Sequence, residues 1–236
     1  MDAFKKVIVI AGFGPGISKA VAKSFAGHGF AVALLSRTQA RLDIGARELT
    51  NQGAKAKGYA VDLAQPEDVK AVIKKVAEDL GPVTVLFYNP ASHSWGDVLT
   101  MEIDTITANM QHQVTGLLAA TQAVVPGMEG QRGCAILVTG GSLALAAENR
   151  TLAKAANHMG GIAVAAGKAA QRSLVFTLAE ALRPKGIRVA EVVVTGGVKG
   201  SQAAGDAGTI RPEDVAEDFW KLYTAPLDGP VSVTRS

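Results

Sequence analysis

At 236 residues, 48% hydrophobic but only 5% aromatic, the chain has the length of one large α/β domain and the aliphatic composition that buried parallel strands need. A net charge of +3 with scattered Lys and Arg excludes the clustered basic face of a nucleic-acid binder, and the single cysteine, Cys134, excludes an internal disulfide and a cysteine-based zinc site. The four histidines (His28, His93, His112, His158) lack ligand spacing, and no apolar run is long enough for a membrane span or a signal-peptide core, so a cytoplasmic protein with no metal and no membrane partner is expected.

In chain order, Val7–Ala11 reads as a buried strand and Ile17–Gly27 as an Ala-rich helix. Ala31–Leu35 is a second strand, followed by a polar helix over 39–52. Ala56–Val61 is a third strand, and Pro66–Leu80 a helix opened by Pro, Glu and Asp. Val83–Tyr88 is a fourth strand, and one long helix is expected over 103–125, ended by Pro126 and Gly127. Ala135–Thr139 is a fifth strand. A long helix follows over 161–182, stopped by Arg183-Pro184-Lys185-Gly186, and then a sixth strand, Ile187–Val194. Pro212–Tyr223 is the last helix, with a weak strand over Val231–Thr234. Regular strand–helix alternation without linker or repeat predicts a single domain over 1–236, a three-layer α/β fold whose doubly wound parallel sheet is covered by helices on both faces.

Gly12, Gly14 and Gly16 lie between the first strand and the first helix. In that context a glycine turn lets backbone N–H groups approach a pyrophosphate, and the helix N-terminus adds its dipole, as in the Rossmann fold. The spacing is G-x-G-x-G, and the glycines alone would mark any tight turn. Dinucleotide-binding sheets that prefer NAD end their second strand with an acid for the ribose 2′-hydroxyl; this chain has Ser36-Arg37 there. A guanidinium pairs with a 2′-phosphate, so NADP is the expected cofactor, with NAD less favoured. Asp62 is placed either to accept from the adenine amino group or to cap the helix that begins at Pro66.

With these residues in view, the chain resembles the short-chain dehydrogenase/reductase family over nearly its whole length. The segment Ala11-Gly12-Phe13-Gly14-Pro15-Gly16-Ile17-Ser18 stands where the family has T-G-x-x-x-G-I-G. Asp62-Leu63, Tyr88-Asn89-Pro90-Ala91, Lys168-Ala169-Ala170, Ile187-Arg188-Val189 and Thr195-Gly196 match further family segments. The resemblance implies cofactor contacts from Gly12, Gly14, Gly16, Ile17, Ser36, Arg37, Asp62, Leu63, Asn89, Pro90, Ala91, Lys168, Thr195, Gly196 and Val198. It also implies a homodimer or homotetramer, built through the apolar helices around 113–124 and 161–178.

The departures from the family fall on catalytic positions. The family's Tyr-x-x-x-Lys pair puts a proton donor one helical turn before the lysine, but that position is Val164, and the variant seven residues before the lysine is Gly161. The family's helical asparagine aligns with Gln113, and its serine with Ser142. Lys168, Ser142 and Gln113 are therefore the expected catalytic set, with His158 and Tyr88 as substitutes for the missing acid; His93 and Trp95 are candidates for the substrate pocket. Ser18, in place of the family's last glycine, is expected to bond a phosphate or to loosen the helix–strand contact. The resemblance implies an NADP-dependent oxidoreductase for a small carbonyl or alcohol substrate, the alternative being a non-catalytic NADP(H)-binding sensor or a subunit that stabilises a partner enzyme. Ala166-Gly167-Lys168-Ala169 is not a phosphate-binding loop, because position 162 is Ile and 169 is not Ser or Thr. The small residues over 197–208 suggest an open pocket or a flexible lid.

Overall fold

A computed structural model describes residues 6–90 and 94–236. Strands β1 (Val7–Ala11), β2 (Ala31–Ser36), β3 (Ala56–Ala60), β4 (Val83–Tyr88), β5 (Cys134–Gly141), β6 (Ile187–Val194) and β7 (Ser232–Arg235) form one sheet in the order 3-2-1-4-5-6-7. Every pairing is parallel. Such a sheet is buried on both faces, and β1, β4 and β6 are correspondingly buried along their lengths, with Arg188 and Glu191 the charged residues of β6.

The alternation of side chains along β1 sorts the core into two halves. Val7, Val9 and Ala11 pack with helices α3 (Pro66–Leu80), α5 (Gly116–Met128) and α7 (Ile162–Leu182), through residues such as Ile73, Leu117 and Val175. Ile8 and Ile10 pack on the other face with α1 (Ile17–Gly27), α2 (Gln39–Asn51) and α8 (Pro212–Thr224), through Phe25, Leu42 and Phe219. Three layers result, and the predicted fold class holds.

The departures are local. The helix expected over 103–125 is α4 (Ile103–Met110), a π-wound turn (Gln111–Thr115) and α5 in succession. It runs through Pro126 to Met128 instead of stopping before it. β5 extends through Gly140-Gly141, since β6 offers a backbone partner for every residue up to Val194. A short 3₁₀ turn (Ser142–Leu145) and an unexpected helix, α6 (Arg150–His158), fill the gap before α7; α6 is capped by Asn149, whose side chain accepts from the Thr151 and Leu152 amides.

Strand order reverses between β1 and β4, where the chain leaves the carboxyl ends of both strands in opposite directions. A crevice opens there in doubly wound sheets. No described helix is long and apolar enough to cross a membrane.

Candidate active site

The crevice at the β1–β4 switch point is a cavity of about 470 Å³. Its floor is the glycine turn. Gly12 has φ +90°, and a Cβ there would come within 2.3 Å of the Asn89 carbonyl oxygen, so only glycine lets the turn lie against the end of β4. The amides of Gly12 and Phe13 both donate to the Leu35 carbonyl, at 3.0 and 2.7 Å. These two N–H groups are thus committed to the fold. The donors left for an anion are those of the first turn of α1, which have no intrahelical acceptor. A Cβ on Gly14 would meet nothing within 4 Å, so this glycine keeps the way into the cavity open.

Ser18 has neither of its expected roles. It is buried, its Oγ donates to the Gly12 carbonyl at 2.8 Å, and it accepts from Asn89 Nδ2 at 2.8 Å. The hydroxyl ties turn, helix and β4 together, tightening the contact it was expected to loosen.

At the far end of the cavity β2 delivers Ser36, Arg37 and Thr38, and α2 adds Arg41 one helical turn after Arg37. Both guanidinium side chains are on exposed residues. Ser36 Oγ is buried and bonded to nothing among the described residues. An unpartnered hydroxyl beside two free-standing cations suits a phosphate that brings acceptors.

The wall opposite is Val61, Asp62, Leu63 and His112. Asp62 Oδ1 accepts from the Ala64 amide at 3.0 Å and faces His112 Nε2 at 3.2 Å. Asp62 does not cap α3, whose capping position is Gln65. Asn89 and Pro90 close the β4 side; Ala91 and His93 lie outside the described residues.

The last wall is the segment 196–204. It is folded onto itself instead of standing open. Val198 pairs with Ile210, Gly200 N donates to Gly205 O at 2.7 Å, and Val198 and Ile210 are buried. Of the expected cofactor residues, Gly12, Gly14, Ile17, Ser36, Arg37, Asp62, Leu63, Asn89, Pro90, Gly196 and Val198 line this one cavity. Gly16, Thr195 and Lys168 do not line it; Thr195 bonds through N and Oγ1 to the Arg235 carbonyl. Arg41, His112 and the 201–204 turn line it without having been expected.

The catalytic candidates gather around α7. Lys168 Nζ donates to the Thr139 carbonyl at 2.7 Å and to Gln171 Oε1 at 2.9 Å, and burial pushes its pKa down to about 7. Gln171, buried on the same helix, donates in turn to Gln113 Oε1 at 2.9 Å and to the Gln113 carbonyl at 3.3 Å. Lys168 and Gln113 are thus linked through a residue that no motif marks. Ser142, half-buried, opens the 3₁₀ turn that packs against α7. His158 is the exposed last residue of α6.

Val164 occupies the α7 position one turn before Lys168. None of the chain's three tyrosines bonds to Lys168: Tyr59 donates to Asp79, Tyr223 to the Gly133 carbonyl, and Tyr88 to the His112 carbonyl at 2.6 Å. Burial raises the Tyr88 phenol further above its ordinary range, so this side chain pins the π-turn and offers no proton. At Gly161 a Cβ would sit 2.8 Å from the Trp95 ring, so the indole covers the position seven residues before Lys168. Trp95 is 46% exposed and does not line the crevice at the β1–β4 switch point.

A sequence model of the family described as short chain dehydrogenase matches residues 6–209. The chain is 32% identical over 123 residues to 2-(S)-hydroxypropyl-CoM dehydrogenase 3 of Xanthobacter autotrophicus, covering 52% of this chain and 48% of that protein. It is 29% identical over 213 residues to the oxidoreductase UcpA of Escherichia coli K12, covering 89% and 75%. The match therefore spans about half the length of the first relative and three quarters of the second. Among solved structures, the L-sorbose reductase of Gluconobacter frateurii, complexed with NADPH and L-sorbose, superposes with a TM-score of 0.75 at 26% identity, over 84% of this chain and 72% of that one.

Proposed function

The chain belongs to the short-chain dehydrogenase family, and we propose that it is an NADP(H)-dependent oxidoreductase for a small carbonyl or alcohol compound whose active site has Val164 in place of the family's tyrosine. The observation that carries the cofactor preference is the end of β2, where Arg37, Arg41 and a buried Ser36 hydroxyl with no partner among the described residues line one cavity and Arg37 stands in place of an acid. The sorbose reductase relative, solved with NADPH, supports the same choice.

Arg37, Arg41 and Ser36 would hold the 2′-phosphate of the dinucleotide, Asp62 and Leu63 would meet its adenine, and the N-terminus of α1 would take its pyrophosphate. When bound, NADPH supplies the hydride that a carbonyl carbon accepts. Lys168 would hold the nicotinamide ribose, and Ser142 would polarise the substrate oxygen. Val164 has no proton to give, so water or His158 would supply it. Losing a positioned acid costs ~10²–10⁴-fold in rate, so slow or specialised turnover is expected. Exposed Leu118 on α5 and Phe176 on α7 support self-association through these helices, which light scattering would detect as a dimer or tetramer.

Calorimetry with NADPH and NADH, followed by absorbance at the nicotinamide band with a carbonyl panel, tests this reading. Tighter binding of NADPH and steady oxidation abolished by Lys168→Ala are expected. Tight binding without turnover of any carbonyl would favour the second reading, which Val164 also supports: a non-catalytic NADP(H)-binding subunit or sensor. Absence of NADPH binding would overturn both.

A further inference from the structure

Lys168 stands at the end of a chain of two side-chain amides. We infer that Gln171 is the positioning residue for Lys168: its amide, held by Gln113, keeps the ammonium against the Thr139 carbonyl near the end of β5. The inference rests on the reading of Lys168 as a residue that serves the reaction.

The two ends of the Gln171 amide settle its orientation. An ammonium has only donors, so it must meet Oε1; the Gln113 backbone carbonyl only accepts, so it must meet Nε2. Both demands give the same orientation. Since Gln171 Nε2 also donates to Gln113 Oε1, the second amide is oriented as well, with Gln113 Nε2 buried and unbonded among the described residues. Each amide therefore turns its negative end toward Lys168. Gln171 is 1% exposed and Gln113 fully buried, so bulk water cannot stand in for either.

The backbone brings this about. Gln113 sits in the π-wound turn, where the carbonyl pattern departs from that of the flanking α-helices, and its oxygen is reached by α7. The carbonyl before it, of His112, takes the Tyr88 hydroxyl. Gln171 lies three residues after Lys168, on the same face of α7.

The charged groups on α7 and on the elements around it are engaged elsewhere or exposed. Arg172 pairs with Glu191 of β6, and Arg188 of β6 donates to the Pro226 and Pro230 carbonyls. His112 turns to Asp62, while Arg183 and Lys185 pair with Glu180 and Glu129. Asp104 of α4, and Arg150, Lys154 and His158 of α6, are exposed. What opposes the loss of charge on Lys168 by burial is then the pair of oxygens on Thr139 and Gln171.

Lysine side-chain NMR on the whole chain, with Lys168→Met to assign the resonance, follows this titration in the native, Gln171→Leu and Gln171→Glu proteins. A hydrogen bond to a charged group corresponds to about one to two pH units, so Gln171→Leu should lower the midpoint by that amount, and Gln171→Glu should raise it. NADPH oxidation by Gln171→Leu should already be weak at neutral pH and recover on acidification through the lowered midpoint, which a purely structural defect would not do. An unchanged midpoint in Gln171→Leu with native circular dichroism would overturn the inference. If that variant does not fold, the near-isosteric Gln171→Glu decides, and a midpoint that fails to rise is the contrary result. The titration needs no cofactor: shifted midpoints in a protein that reduces no carbonyl would support the amide–lysine link and count against the oxidoreductase reading.

Discussion

Arg37 and Arg41 line one cavity but differ in how the sequence marks them. Arg37 stands at the end of a strand where an acid would mark NAD, so its meaning was readable from residue type and position alone. Arg41 lies one helical turn further on and reaches the same cavity, a consequence of helix geometry that no motif prompted. Replacing Arg37 by Asp should weaken NADPH about 10- to 100-fold, the equivalent of one charge-assisted contact, while sparing NADH; calorimetry with both nucleotides checks it. Ser18 and Gln171 were less legible. The hydroxyl of Ser18 is spent inside the turn, on Gly12 and Asn89, which only the three-dimensional approach of β4 reveals. Gln171 is a lone glutamine in an Ala-rich helix, and its partner Gln113 is 58 positions away. Arg172 makes a different prediction. It pairs with Glu191, which is 1% exposed, so Arg172→Met strands a buried carboxylate and should lower unfolding stability by about 3–5 kcal/mol in denaturant titrations.

Among the elements, the π-wound turn at Gln111–Thr115 matters most. Its neighbours show why the sequence tolerates it. Gly116 has no room for a side chain, since a Cβ would lie 2.2 Å from the Leu63 carbonyl oxygen and 2.4 Å from the Tyr88 hydroxyl. The turn therefore rests directly on the end of β4 and on the segment after β3. From it His112 reaches Asp62 in the cofactor cavity, and Gln113 reaches toward Lys168 through Gln171. Tyr88→Phe removes the buried donor to the His112 carbonyl and should cost about 1–3 kcal/mol, read as a lower denaturant midpoint with an unchanged slope. Sequence periodicity sees one helix over this region, because the single residue added by a π-wound turn barely disturbs the helical pattern on either side. The helix α6 escaped notice because it is short: Arg150–His158 is amphipathic, but it is too brief for its periodicity to stand out.

At the scale of the molecule, strand–helix alternation was enough to place every strand of the sheet, since the central strands, buried on both faces, read as near-continuous apolar runs and the partly exposed edge strands β3 and β7 follow the same alternation. What it could not reveal is that burial reaches Lys168. Lys168 titrates near 7 in the folded chain, far below its ordinary value of 10.5. Between those values the unfolded chain holds the extra proton, so this group's contribution to stability grows as pH rises and is lost as pH falls through about 7. Relative to Lys168→Met, the native protein should therefore gain thermal stability from neutral to alkaline pH; a difference that stays flat across that range would show that the ammonium is not desolvated.

In the proposed function, the crevice at the glycine turn binds NADP(H) and the chain moves the hydride without a tyrosine acid. Single-turnover absorbance of stoichiometric NADPH with a carbonyl panel, run on the native and Arg37→Asp proteins, addresses it most directly. The account predicts slow but complete loss of the reduced nicotinamide band in the native protein, weakened with NADPH and retained with NADH in Arg37→Asp. A native protein that leaves the band untouched with every carbonyl, or that responds identically to both nucleotides in both forms, would contradict it.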